Sequence, residues 1–145
     1  MKPKLIYGDL FIDDRGEISF VNDFDFSGVK RFYIVENHRS GFIRAWHAHK
    51  NEAKFVSVVK GSALIAAVEI DDWDSPSKNN KIWKYILSEN NPSILYIPAG
   101  YANGFMSLNA EAKLIWYSTA TIEEAKEDDI RYDAYYWNAW EIEQR

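Results

Sequence analysis

The sequence predicts an all-β fold: a single jelly-roll domain, a double-stranded β-helix, with one short helical segment near the C-terminus. Three observations predict it. The chain has 145 residues, the size of one compact domain and too few for two well-formed cores, so residues 1–145 are read as a single domain. Its β-branched and aromatic residues gather in runs of strand length. Turn-forming residues punctuate those runs at fairly even intervals, with no alternation of strand and helix patterns. Such a chain forms antiparallel sheets packed as a sandwich or barrel.

In chain order, strands are expected at 32–35, 55–59, 63–70, 82–87, 93–97 and 113–118, each rich in Val, Ile, Phe, Tyr or Trp. Turns are expected at 13–16 (Asp-Asp-Arg-Gly), 27–28, 39–41, 60–61, 74–77, 89–92 and 98–100 (Pro-Ala-Gly). The helical segment starts after Thr121, an N-cap followed by acids in the first turn, and reaches only to about Asp128. The last stretch, 132–140, is unusually aromatic for a C-terminus, and its rings are expected to pack back on the barrel.

Composition narrows the function. With 47% hydrophobic residues, and 8 Phe, 9 Tyr and 6 Trp, the chain can bury a real core, which excludes a disordered protein. Seventeen basic against 22 acidic side chains give a net charge of −5, with no Lys or Arg run to follow a phosphate backbone, so nucleic acid is not an expected partner. The longest aliphatic run, 63–68, is about a third of the ~20 residues that span a bilayer, so no membrane is expected. The N-terminus reaches Asp9 before any signal-like apolar stretch develops, and a cytoplasmic location is expected. Zero cysteines remove disulfides, thiolate catalysis and Cys-ligated metals.

All three histidines lie between 38 and 49, and His47 and His49 form a His-x-His. On a strand, residues two apart share a face, so these imidazoles point the same way. By itself the pair is equally two surface histidines on an edge strand. Lys54 opens an otherwise apolar strand, a place where a cation faces either solvent or a site. Taken singly, Tyr117 reads as a half-buried core tyrosine, Arg15 as a solvated turn residue and Asn103 as a turn hydrogen bonder.

The run from Gly41 to Gly61, with its His-x-His, resembles the first motif of the cupins, and 98–103 (Pro-Ala-Gly-Tyr-Ala-Asn) resembles the second. Metal-binding cupins use three His and a Glu. Here Asn103 stands in place of the third His and Glu52 comes early, too few ligands for an ordinary transition-metal site, so no metal is expected.

Within the cupins the chain resembles the dTDP-4-dehydrorhamnose 3,5-epimerase family. The resemblance runs in order through 13–16, 41–47, 53–56, 87–90, 97–105, Tyr117 and 129–133, and so covers most of the chain. It implies a cofactor-free and metal-free jelly roll, usually a dimer, acting on a nucleotide-linked 4-keto-6-deoxyhexose. It also implies roles. His47 matches the base that takes a proton next to the C4 ketone, and Tyr117 matches the acid that returns one from the opposite face. Lys54 and Arg44 match cations near the sugar, and Arg15 matches an arginine of the diphosphate site. Neutral imidazole suits the base role, since its ordinary pKa near 6.5 leaves it unprotonated at neutral pH.

The match has departures. Family members usually continue some tens of residues further and carry there an aspartate that orients the base, so unless Glu52, Glu69 or another carboxylate substitutes, His47 lacks the usual partner. Phe32 and Ile34 stand where substrate-binding amides belong. The chain also resembles the sugar 3,4-ketoisomerases, through His47-Ala-His-Lys50 and the segment 30–34. That resemblance implies that both His47 and His49 transfer protons and that Tyr33 is a site residue. A nucleotide-sugar-binding cupin without catalysis is a further alternative.

Overall fold

The computed structural model describes residues 1–145 as two five-stranded antiparallel sheets, a protruding hairpin and one helical turn and a half. Strands β1 (Lys4–Tyr7), β2 (Asp9–Asp13) and β3 (Gly16–Phe20) come first, followed by β4 (Arg31–Glu36) and β5 (Ile43–Ala48). Next are β6 (Lys54–Lys60), β7 (Ser62–Glu69), β8 (Ile82–Ser88), β9 (Ser93–Ile97), β10 (Tyr101–Ser107) and β11 (Lys113–Ser118). Helix α1 (Ile122–Glu127) and β12 (Ile130–Arg131) close the order. The first sheet runs β1-β9-β6-β11-β4 and the second β12-β5-β10-β7-β8; β2 and β3 pair only with each other.

Strand alternation builds two apolar layers. Val56, Val58, Ile65, Leu95, Ile97, Phe105, Leu114 and Trp116 come from both sheets and fill the space between them. The neighbours of these residues along β7, Leu64, Ala66 and Val68, face the other way, against Trp46, Met106, Trp137 and Trp140. The C-terminal aromatic stretch therefore packs back on the outer face of the second sheet, as its composition predicts. Trp46 and Trp137 meet edge to face at 5.4 Å, and the Trp46 indole N–H donates to the Ala134 carbonyl. Truncating Trp46, which has no exposed surface, would cost about 3–5 kcal/mol.

Thr121 caps α1 in a reciprocal box with Glu124, worth about 1 kcal/mol, and the helix ends at Asp128 as expected. Strands β1, β2, β3, β5, β10 and β12 fall outside the predicted runs. The β10 sequence, Tyr-Ala-Asn-Gly-Phe-Met-Ser, follows the 98–100 turn as a strand in which every residue is buried. A Cβ on Gly104 would lie 2.4 Å from the Ala45 Cβ, so glycine here permits close approach of β5 and makes no turn. No helix is long and apolar enough to cross a membrane.

Candidate active site

The local shape of the site follows from an irregularity between β5 and β10. Asn103 pairs with His47 and Phe105 with Arg44, so two residues of β5, Ala45 and Trp46, oppose one of β10, Gly104. This bulge turns Arg44 and His47, three apart in sequence, toward the same space. Facing them across the gap are Tyr33 and Val35 of β4, Lys54 of β6 and Trp116 of β11. Together with Asn103 and Phe105 they line a cavity of about 200 Å³ between the two sheets. A second recess of about 240 Å³ adjoins it, shares His47 and Lys54, and is walled by Arg31, His49, Lys126 and Arg131 with Asp129.

The two cations of the cavity are each held by a neighbour. Lys54, 8% exposed, donates from Nζ to the Tyr33 hydroxyl at 3.0 Å and lies over the Tyr33 and Trp116 rings. Those two rings stack in parallel, 6.4 Å between centroids. Arg44 donates from Nε to the Asn37 side chain at 2.7 Å, and Asn37 in turn is anchored on Ser107. The Trp116 indole N–H is buried without an acceptor. Burial, and then the positive charges of Arg131 and Lys54, pull the His47 pKa down to about 4, so its ring is neutral at physiological pH.

Not every predicted site residue reaches this cavity. Tyr117 does not: its neighbour Trp116 takes the inward face of β11, and period-two alternation sends Tyr117 outward. There it packs on Phe24 and Phe26 at 5.2 and 5.7 Å and lines a separate apolar pocket with Phe20 and Val59. Tyr117 thus lies on the far side of the sheet from His47, and the phenol that lines the cavity is Tyr33. Arg15 also lies elsewhere. It sits at the tip of the β2–β3 hairpin, with 80% of its side chain exposed and paired to Asp13. Phe32 and Ile34 point outward and are exposed.

No carboxylate hydrogen-bonds His47, although Asp129 shares its recess, and Glu52 lies instead against His49. Its fully buried carboxylate places Oε1 3.1 Å from His49 Nδ1, while Oε2 accepts from Arg31 and from the Ser118 hydroxyl. His49 Nδ1 also donates to the Asp128 carbonyl at 2.8 Å. The Asp128 carboxylate accepts the backbone N–H groups of Lys50, Asn51 and Glu52, which pins the turn after the His-x-His. Trp116, Asn37 and Asp128 escaped the sequence reading. For Trp116 the signal was present as alternation, but both faces of β11 are apolar, so alternation could not say which faces in.

This geometry has relatives. Residues 5–143 match the family model described as dTDP-4-dehydrorhamnose 3,5-epimerase. The chain belongs to this family. A dTDP-4-dehydrorhamnose 3,5-epimerase of Salmonella typhimurium is 25% identical over 142 residues, which covers 92% of this chain and 74% of that protein. The structure of dTDP-4-dehydrorhamnose 3,5-epimerase from Sulfolobus tokodaii superposes with a TM-score of 0.75 at 26% identity, covering 94% of this chain and 80% of that one. A 3,4-ketoisomerase from Helicobacter canadensis shares the fold at 21% identity and a TM-score of 0.69, with 94% of this chain and 95% of that one covered. The family is one of isomerases. In this epimerase-family chain the conserved fold thus surrounds a cavity built from His47, Lys54, Tyr33, Arg44 and Asn103.

Proposed function

We propose that this chain isomerises a nucleotide-linked 4-keto-6-deoxyhexose, as a 3,5-epimerase-type enzyme that removes and returns protons beside the C4 ketone. The convergence of a neutral imidazole, a buried ammonium and a phenol on one cavity carries this reading. The ketone acidifies the hydrogens on C3 and C5, because the electron pair left behind delocalises onto oxygen as an enolate. His47 takes the proton. Lys54 stabilises the enolate oxygen as charge develops in a site shielded from bulk water. Tyr33 takes the acid role expected of Tyr117. Its hydroxyl oxygen accepts from Lys54, which leaves its own O–H free to deliver a proton, and the ammonium compensates the phenolate so formed. Arg44 and Asn103 hold the sugar and its phosphate side.

A second reading, 3,4-ketoisomerisation, is favoured by one observation: Tyr33 and a carboxylate-paired His49 both border the site. Proton NMR of a nucleotide 4-keto-6-deoxyglucose incubated with the protein in heavy water separates the readings. Deuterium at C3, C5 or both with the ketone still at C4 supports epimerisation, and a 3-keto product supports ketoisomerisation. Binding without any exchange would sink both and leave a sugar-binding module.

We further place a homodimer contact on the β2–β3 hairpin and the β4 edge, where Phe11, Ile12, Ile18, Phe32 and Ile34 are exposed. A second copy docked there gives Arg15 a role at the site of its partner. Light scattering of the protein and of Phe11→Asp tests this, with a monomeric wild type as the contrary result. A nucleotide-sugar substrate makes the cytoplasm the compartment we propose.

A further inference from the structure

Two imidazoles border the site, and only one has a carboxylate. His47 has no acidic hydrogen-bond partner, whereas the Glu52 carboxylate, with a fully buried side chain, sits 3.1 Å from His49 Nδ1. The Asp128 carbonyl, 2.8 Å from the same nitrogen, can only accept, so Nδ1 carries the proton in neutral His49. Nε2 is then the bare nitrogen. It is buried and has no partner in the protein. An unsatisfied buried acceptor costs about 1–3 kcal/mol, and His49 lines the recess that shares His47 and Lys54 with the sugar cavity.

We infer that Glu52 is a positioning residue for proton transfer: its carboxylate is the counter-charge for the imidazolium formed when His49 Nε2 takes a proton. This deepens the isomerase reading and rests on it. When a C–H or O–H bond of the bound sugar breaks, its electron pair stays on the sugar and the proton goes to Nε2. The resulting Nδ1–H⁺ stays on the Asp128 carbonyl with the Glu52 carboxylate 3.1 Å away as its counter-charge, and His49 later gives the Nε2 proton back. No other reactant is needed. Arg31 and Ser118 keep the carboxylate in place from β4 and β11, two neighbouring strands. The other charged groups facing this recess are Lys54, Lys126, Arg131 and Asp129, and Glu52 is the acid in contact with the imidazole.

The test compares wild type, Glu52→Gln and Glu52→Asp with the nucleotide 4-keto-6-deoxyglucose in heavy water, together with ¹⁵N NMR of the histidine rings. Glu52→Gln is expected to lower kcat about 100-fold with KM within about twofold, and to move the His49 titration to lower pH. Glu52→Asp, which keeps the charge, should recover part of the lost kcat. A Glu52→Gln enzyme with wild-type kcat would overturn the inference. So would a wild-type His49 carrying its proton on Nε2, a result that needs no variant to fold. If the wild type shows no exchange but Glu52→Gln still lowers the His49 titration, the counter-charge stands and the isomerase reading falls.

Discussion

The two sides of β11 make the clearest contrast in the molecule. Trp116 and Tyr117 are consecutive aromatic residues of similar size, yet one stacks on Tyr33 in the wall of the His47 cavity and the other packs on Phe24 and Phe26 behind the sheet. On a strand a shift of one position exchanges the rooms into which side chains project. An aromatic residue of the right type is therefore insufficient evidence of a role. The phenol on the cavity side comes from the neighbouring strand, where Tyr33 pairs directly with Trp116.

If the inner room does the chemistry, substitutions on its two walls should separate sharply from those outside. His47→Ala should lower deuterium exchange by about a thousandfold, and residual exchange at the wild-type rate would dissolve the contrast. Lys54→Met should cost about 100-fold in kcat through loss of enolate stabilisation, read from initial rates. Tyr33→Phe should cost about 10- to 100-fold, with proton return affected more than removal, so that single-turnover exchange outruns product formation. Tyr117→Phe should leave kcat within about twofold, since its ring sits in the outer pocket; a hundredfold loss would move the acid back to that side.

Acid titration probes the same contrast. Because burial and the charges of Arg131 and Lys54 hold the His47 pKa at about 4, kcat/KM should stay level from pH 7 to about 5 and fall near 4, where an unperturbed imidazole would lose activity near 6.5. The sign for stability follows from the same shift. Below 6.5 the unfolded chain binds a proton at this position that the folded chain refuses until about 4, so stability present above 6.5 is lost as pH falls through that window. His49 acts in the same direction, since burial and Lys54 outweigh Glu52 and Asp128. Chemical denaturation at pH 7, 5.5 and 4.5 should show a falling midpoint, and His47→Gln should flatten part of the fall.

Much of the site was legible from residue types and spacing. His47 and Lys54 stood out as polar groups in apolar strands, and Arg44, Asn103 and Tyr33 followed from motif position; all five line one cavity. Tyr117 misled because β11 is apolar on both faces, one against the core and one beneath Phe24 and Phe26, so its pattern carries no sign for the inner side. Strand β10 carries no β-branched residue to mark it, and its Gly104 answers to a crowded contact with Ala45 from a distant strand. Glu52 was one of the carboxylates considered for His47, and the structure places it against His49.

The sequence alone set the architecture and the chemical inventory: alternating apolar runs dictate paired sheets, and a His-x-His followed by a strand lysine supplies two imidazoles and a cation. Only the tertiary structure decided which groups meet. The bulge between β5 and β10 aims Arg44 and His47 together, the face chosen by β11 admits Trp116 and excludes Tyr117, and the fold back of Asp128 gives His49 the partners that His47 lacks. Those choices depend on contacts between residues tens of positions apart, where side-chain volume and hydrogen-bond geometry settle a register that local pattern leaves free.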